Sequence, residues 1–376
     1  MYFGEAMTTI IIGAGASGLA AAIALKQSTP NEKVIILERL PSPGKKILAT
    51  GNGRCNLTNK NAEGFERTKL FFNSTGLILR EEEQGRIYPY SLKAQTVLDT
   101  LLEASEKLGV KIITDCEVTK LGRDLTVNSS KGSFMADSVI VAAGGKAQKN
   151  LGSNGSGYAL LKPLGHSVAP LSPALVQLTS SSKYPRAIKG TRTRCNIKIE
   201  IGGEIKGEEY GEILFTEYGL SGIAAMDLSH IVSGNFSKEK PEKCVAVLDL
   251  APEISEAELK NYMEDFGSLR GIFGEALSNI ILKQALNNTE TAAKIAKSWR
   301  LIITGTKGFD FAQITNGGIP LNEVDGFESK YVKDLYICGE LLDKQFPCGG
   351  FNLDFAWTSG IAAAEKIAEK RNDKNK

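Results

Sequence analysis

Six residues near the start, Gly13-Ala14-Gly15-Ala16-Ser17-Gly18, constrain the fold of this chain more than any other feature. A β-branched run, Thr8–Ile12, precedes them and reads as a buried strand. An alanine-rich helix to about Gln27 follows, then a second apolar strand, Lys33–Leu37, which ends at Glu38. Strand, glycine turn, helix and strand within about thirty residues make a βαβ unit of dinucleotide-binding size. In that setting the first glycine permits the tight turn. The second lets a pyrophosphate approach the backbone, and the third lets helix and strand pack closely. Free amides at the helix start, those of Ala16 and Ser17 among them, face phosphate. Glu38 is placed to accept hydrogen bonds from a ribose hydroxyl pair. Arg39, beside it, and Val118, at the head of a later strand, are assigned to the same site. Without the strand before and the helix after, these glycines would signify only a turn.

The length of 376 residues suits two or three domains. Lys and Arg number 45 against 43 Asp and Glu, a balance that gives no electrostatic case for a nucleic-acid or membrane partner. The basic cluster Lys370–Lys376 reads as a solvated, frayed terminus. The apolar run Ile10–Leu25 is interrupted by glycines and too short to span a bilayer. Six cysteines without a C-x-x-C pair, and two histidines, argue against a zinc site and for reduced thiols in the cytoplasm. Residues 1–6 precede a second methionine, Met7, and read as a tag remnant or an alternative start.

Further along, Leu92–Leu108 has helical periodicity, and Val110–Ile113, Val118–Leu121 and Ser138–Val141 read as strands. The texture changes near Ser167. Ala174–Leu178, Thr193–Ile201, Ile213–Thr216 and Cys244–Leu250 are short β-rich pieces, Ser255–Ser298 is helical, and Arg300–Thr304 and Gln313–Ile314 are strand-like. A strand, Leu335–Cys338, and a helix from about Leu353 to Glu369 restore the α/β pattern. The expected fold class is α/β: a Rossmann-type dinucleotide domain from both chain ends, residues 1–166 and 315–376. A β-barrel-like insert, 167–252 and 300–314, interrupts it, with a small helical domain at 253–299.

The glycine turn does not separate FAD from NAD, but two later segments do. Val139–Gly145 is an apolar strand ending in glycines, where a flavoprotein chain crosses beside its dinucleotide through Ala143 and Gly144. Leu335–Glu340 is a late strand ending in Gly339-Glu340, whose acid would lie near the ribityl and pyrophosphate portion. A simple NAD dehydrogenase has no use for this return. Cys348-Gly349-Gly350-Phe351-Asn352 then opens the last helix, whose start would favour negative charge on the reduced flavin ring. The Gly44–Asn59 loop makes sense as a cofactor wrap rather than an exposed basic loop. Its glycines admit close approach, Lys45, Lys46 and Arg54 oppose phosphate or flavin charge, and Asn52, Asn56 and Thr58 supply hydrogen bonds. Gly53 and Cys55 belong to the same loop. Cys55 and Cys348 read as packed thiols rather than a redox disulfide. His166 reads as structural and His230 as a surface residue; Tyr88-Pro89-Tyr90 fits either a pocket wall or a packed loop.

Several motifs together resemble one family. They are Gly44-Lys45-Lys46, Thr50–Asn59, Gly155-x-Gly157-Tyr158, Leu214-Phe215-Thr216 with Gly219–Gly222, Thr315-x-Gly317-Gly318, and Gly339-Glu340-x-x-Asp343 through Gly349–Asn352 to Ser359-Gly360. The chain resembles, over nearly its whole length, the bacterial FAD-dependent oxidoreductases that include aminoacetone oxidase and the bile-acid dehydro-reductases. The resemblance implies FAD as cofactor, a three-part architecture, a Gly44–Asn59 loop wrapped around the cofactor, and site roles for Asp343, Gly350, Phe351 and Asn352. Ser156, Glu217 and Ile223 depart from the family pattern, outside the nucleotide motifs, and bear on the substrate.

The expected chemistry is hydride transfer through flavin N5 to or from a small organic substrate, with NAD(P)H as a transient co-substrate. The insert is expected to roof the flavin. Reduction of an activated C=C bond and oxidation of a small amine both remain open, and no general acid or base stands out. A flavin-dependent RNA-modification factor and a non-catalytic redox sensor are the rival classes; near-neutral charge and no basic stripe speak against the first. The oligomeric state is not readable.

Overall fold

The computed structural model describes residues 7–374; the reading of residues 1–6 as a tag remnant lies outside them. The chain divides into two compact units, Met1–Leu171 with Ile314–Lys376, and Ser172–Gln313. The fold is mixed α/β, with a Rossmann-type unit, a closed barrel and helices.

In the first unit seven strands form one sheet. They are β1 (Thr8–Ile12), β2 (Lys33–Leu37), β3 (Lys111–Ile113), β4 (Ser138–Val141), β5 (Val324–Asp325), β6 (Glu328–Ser329) and β7 (Leu335–Ile337). Their order is β5-β6-β7-β4-β1-β2-β3. The five strands from β7 to β3 run parallel, and both N-terminal and C-terminal segments contribute to them. The buried apolar runs of β1, β2 and β4 are what a sheet covered on both faces requires. Helix α1 (Ala16–Ser28) is buried from Ser17 through Leu25, so its small alanines pack against other elements all around the axis. The last helix, Phe351–Lys374, lies along it. Gly360 permits this approach, since a side chain there would overlap the Ser17 carbonyl.

That helix outruns its expected end at Glu369, which corrects the frayed-tail reading for Lys370 and Arg371. Lys370 pairs with Glu328 (2.5 Å) and Asp334 (2.9 Å). Arg371 is buried, meets Glu32 through two nitrogens at 3.3 Å, and donates to Ser138 Oγ at 2.9 Å. Fixed carboxylates order what composition alone marks as solvated.

The second unit holds a closed six-stranded barrel: Leu178–Ser180, Gly219–Ser221, Glu204–Phe215, Arg192–Ile201, Cys244–Asp249 and Trp299–Thr306, in spatial order. Three helices, Glu256–Phe266, Arg270–Gln284 and Thr289–Lys297, send Leu259, Met263, Leu277, Ile281 and Ala292 into the barrel's own apolar cluster around Trp299. Two strand expectations are corrected. Ala174–Leu178 is not continuous, because Leu175 takes φ 50° between the strands Ser172–Ala174 and Leu178–Ser180. Ile213–Thr216 is only the end of a strand beginning at Glu204, paired with Arg192–Ile201 around Gly202-Gly203 at φ 62° and 93°. Among the described residues no helix is long and apolar enough to cross a membrane.

Candidate functional site

The site is built on the turn between β1 and α1. Gly13 takes φ 104°, and a Cβ there would lie 2.6 Å from the Ala142 carbonyl oxygen at the end of β4. At Gly18 a Cβ would overlap the Gly13 carbonyl. Protein packing therefore demands both glycines. Gly15 differs: it has ordinary negative φ, and a Cβ there would meet no protein atom within 4 Å. No side chain caps α1 at Gly15. The Glu38 carboxylate closes the turn from the side, accepting from the Ala14 and Leu40 amides, each at 2.8 Å. Arg39 reaches the Gly152 carbonyl at 3.3 Å. Val118 is buried in the apolar layer shared by β1, β2 and β4.

The Gly44–Asn59 loop is fastened to the start of the last helix. Asp354, buried in the first turn of that helix, accepts from the Thr58 hydroxyl (2.6 Å), the Thr68 hydroxyl (2.7 Å) and the Gly64 amide (3.1 Å). Burial raises its pKa, and these hydrogen bonds oppose the rise. Trp357 Nε1 donates to the Leu57 carbonyl at 3.0 Å, and Asn59 Nδ2 to the Gly349 carbonyl at 3.1 Å. Gly350, at φ 103°, leaves no room for a side chain between Thr58 O and Asn56 Oδ1. That Asn56 oxygen is buried and has no protein hydrogen-bond partner. Asn352 has its side chain spent on the turn before the helix, bonding Phe346 N at 3.0 Å and Phe346 O at 2.8 Å. Phe351 is half-buried beside it. Asn52, Gly53 and Arg54 form an exposed tip, with Arg54 5.0 Å over the Tyr88 ring. Tyr88 is thus packed while Tyr90 is exposed.

A polar knot joins the loop to β4 and β7. Lys46 pairs with Glu340 at 2.7 Å. The other Glu340 oxygen accepts from the Thr315 amide and hydroxyl, each at 2.9 Å. Thr315 Oγ1 in turn accepts from the amides of Lys146 (2.7 Å) and Ala147 (3.1 Å). Gly145 sits where a Cβ would meet Glu340 Oε1 at 2.5 Å, and Gly144 takes φ 70°. Ala143 packs in the buried layer beside it. Gly339, at φ 70°, lies against Ser17 at the start of α1 and donates to Ser359 Oγ at 2.9 Å. Asp343 accepts from Gln345 at 2.8 Å. Lys45 begins the short helix Lys45–Ala49. The turn at Gly13–Gly18, Glu38, the Lys46–Glu340 pair and the Gly349–Gly350 turn all belong to one unit.

Asp354, Thr315 and Trp357 hold these parts together, and sequence reasoning gave them no role. A carboxylate in the first turn of an otherwise apolar helix was the available signal for Asp354. Cys55 is buried, its thiol pushed up to about 12 by burial, so it carries little thiolate; Cys348 is half-exposed. His166 is buried away from solvent, bonded to Glu323 (2.9 Å) and Ser329 (2.8 Å). His230 is exposed.

The fold and this arrangement define an FAD oxidoreductase of the Rossmann type. Residues 7–366 match the HI0933-like protein Rossmann domain, and the chain belongs to that family. It is 38% identical to a 3-dehydro-bile acid delta(4,6)-reductase of Clostridium scindens, over 96% of this chain and 98% of that protein. It is 27% identical to a ribosomal RNA dihydrouridine synthase of Haemophilus influenzae, with the same two coverages. Among solved structures, the open conformation of a flavocytochrome c3 fumarate reductase shares the fold. Its TM-score is 0.52 and its identity 15%, over 97% of this chain and 79% of that one.

Proposed function

We propose that the protein is an FAD-dependent reductase of a carbon–carbon double bond conjugated to a carbonyl, with NAD(P)H as a visiting donor. Gly15 is the observation that carries FAD binding at this site: the protein itself does not require a glycine there, whereas a pyrophosphate against the backbone does. The unpartnered Asn56 oxygen, a buried acceptor that costs stability unless a donor reaches it, fits the same ligand. In this reading Gly13–Gly18, with the amides of Ala16 and Ser17, hold pyrophosphate. Glu38 takes ribose hydroxyls, with Arg39, Val118, Ala143 and Gly144 around it. Gly339, Glu340 and Asp343 line the ribityl side, and the Gly44–Asn59 loop with Gly350–Asn352 borders the ring. Lys46, already paired with Glu340, positions that carboxylate rather than neutralising phosphate. FAD supplies hydride transfer at N5 when bound.

The bond type rests on what two relatives are named for. A 3-dehydro delta(4,6) substrate has its double bonds conjugated to a ketone, and making dihydrouridine saturates a bond conjugated to a uracil carbonyl. No second strand–G-x-G-x-x-G–helix unit occurs in the sequence, which fits a nicotinamide that visits rather than resides. Anaerobic titration of the FAD-loaded protein tests the reading. NADH or NADPH should bleach the flavin, and a steroid enone or uridine-containing RNA should restore its colour. Bleaching by small amines alone, with recovery only in oxygen, would overturn it in favour of an amine oxidase. A second reading, in which the double bond belongs to a uridine within RNA, is favoured by the dihydrouridine synthase relatives.

A further inference from the structure

We infer that one end of the barrel, around the short helix Lys183–Ala187, is a binding surface for single-stranded RNA; this rests on the reading in which RNA uridine is the substrate. Against the expectation of no basic stripe, the sequence between Lys183 and Lys198 has six cationic residues and no acidic one, a local excess that the net charge of +2 averages away. Two of the six are neutralised across the hairpin, Arg192 by Glu212 and Lys198 by Glu208. Lys183, Arg186, Lys189 and Arg194 are exposed and form no ion pair among the described residues. Their placement is systematic. Pro185 and Ile188 are the buried anchors, which turns Lys183 and Arg186, three apart, outward together, and Lys189 follows just past the helix end.

An aromatic platform stands at the start of the strand Leu178–Ser180, whose end leads into this helix. The Lys307 ammonium lies 4.7 Å from the centre of the Tyr218 ring and 4.2 Å from that of Phe311. Phe311 is 51% exposed, so a ring face remains open to solvent. Ser180, the last residue of the strand that leads into the helix, donates its amide to the Tyr218 carbonyl at 2.8 Å. Lys307 lies at the other end of that strand, its amide donating to the Gln177 carbonyl at 3.0 Å, so the cationic helix and the platform stand at the two ends of one short strand, Leu178–Ser180. Single strands are held by this combination: cations track phosphates while unstacked bases lie on aromatic faces. A small carboxylate-bearing substrate would use one such cation and leave the others without a role.

The test is fluorescence anisotropy of a labelled oligouridylate with the full-length, FAD-loaded protein across a salt series. Binding should weaken linearly with log salt. Lys183→Gln/Arg186→Gln/Lys189→Gln should weaken it about tenfold or more and flatten the salt slope by about 2, since each single-strand phosphate contact contributes about 0.7. Phe311→Ala should weaken binding without changing the slope. Lys283→Gln/Lys294→Gln, on the helices, should change neither. An unchanged flavin spectrum and melting temperature in each variant would show that the fold survives. Absence of binding at low salt, wild-type binding by the triple variant, or tighter binding to phosphatidylglycerol vesicles than to RNA would overturn the proposal. Uridine reduction in ribosomal RNA at full rate by the triple variant would sink the surface and leave the RNA reading standing. Salt-dependent binding lost in the variant, without any uridine reduction, would support the surface and sink that reading.

Discussion

At the scale of single residues, the three glycines of one turn do two different jobs, Gly13 and Gly18 one and Gly15 the other. Gly18 is required by the protein, because a side chain there would overlap the Gly13 carbonyl. Gly15 meets no protein atom. We therefore predict opposite phenotypes. Gly18→Ala should lower stability by about 1–3 kcal/mol, the usual cost of overpacking, whether or not FAD is present. Gly15→Ala should fold with an unchanged melting temperature as apoprotein yet lose FAD affinity about tenfold or more, as 1.4 kcal/mol does. Thermal melts of the apoprotein and a flavin-fluorescence titration check both, and equal losses in both variants would refute the division. The motif announced these glycines in the sequence, because their spacing is local. Lys46 was legible only as a cation. Its partner Glu340 lies 294 positions away, and no local pattern couples the two. Asp354 was missed for the same reason, since all its donors come from residues near 60.

Whole elements were legible where hydrophobic periodicity was strong, as in β1, α1, β2 and β4, and obscure where solvent covers one face. The strand Glu204–Phe215 is exposed or half-exposed from Glu204 to Glu212, so its first part shows no apolar alternation to read. The end of the last helix was misread because its cations are satisfied by strands and turns distant in sequence. Arg371→Ala should cost about 3 kcal/mol, the scale for stranding a buried partner, here Glu32. Urea denaturation would measure it, and a loss below about 0.5 kcal/mol, typical of surface sites, would restore the frayed-tail view. A second element-level clasp is acid-sensitive. Ser329 Oγ accepts from the amides of Tyr331 and Val332, both at 3.1 Å, so its one proton goes to His166 Nε2. Nδ1–H then donates to Glu323, and the ring is neutral. Burial holds the His166 pKa below its ordinary 6.5, outweighing the opposing pull of Glu323. The unfolded chain thus takes up the proton first. The stability is complete above about pH 6.5 and is lost as pH falls through the lowered folded value. Glu323 adds a second loss at lower pH: burial pushes its pKa up, but Ser167 and His166 together hold it below the ordinary value. Melting temperature should fall from about pH 7 toward pH 5 in the wild type. The fall should be shallower in His166→Asn, and a parallel decline in both would remove His166 as the cause.

For the whole molecule, the reading that both chain ends build one domain came from three apolar strands, each with a glycine at its end. The sheet order places β7 beside β4 and β4 beside β1. The sequence places the crossings at 166/167 and 314/315 from a change of texture alone, with no linker or turn motif to fix them. The backbone now locates them. The Ala169 amide donates to the Gly318 carbonyl at 2.8 Å, and Gly317, at φ 88°, leaves no room for a Cβ over the Pro170 carbonyl. The chain thus leaves the first unit and re-enters it at adjacent points, so a few residues suffice to close the gap. Loop closure costs little for a short connection and grows only by about 0.6 kcal/mol per doubling of length. Every residue proposed here for FAD lies in the first unit, and so do Thr315 and Asp354, which support them. Replacing residues 172–313 by a short Gly/Ser linker should therefore yield a folded protein that binds FAD within about tenfold of the full chain. On the sequence reading that the insert roofs the flavin, turnover with NAD(P)H and an enone should disappear. The apolar clusters favour this outcome: the one around α1 and the last helix contains no residue of the second unit. Far-ultraviolet circular dichroism, flavin titration and steady-state turnover on the linker variant decide it. A folded variant that cannot bind FAD would place part of the cofactor site in the second unit, and retained turnover would show that the insert is not needed for substrate.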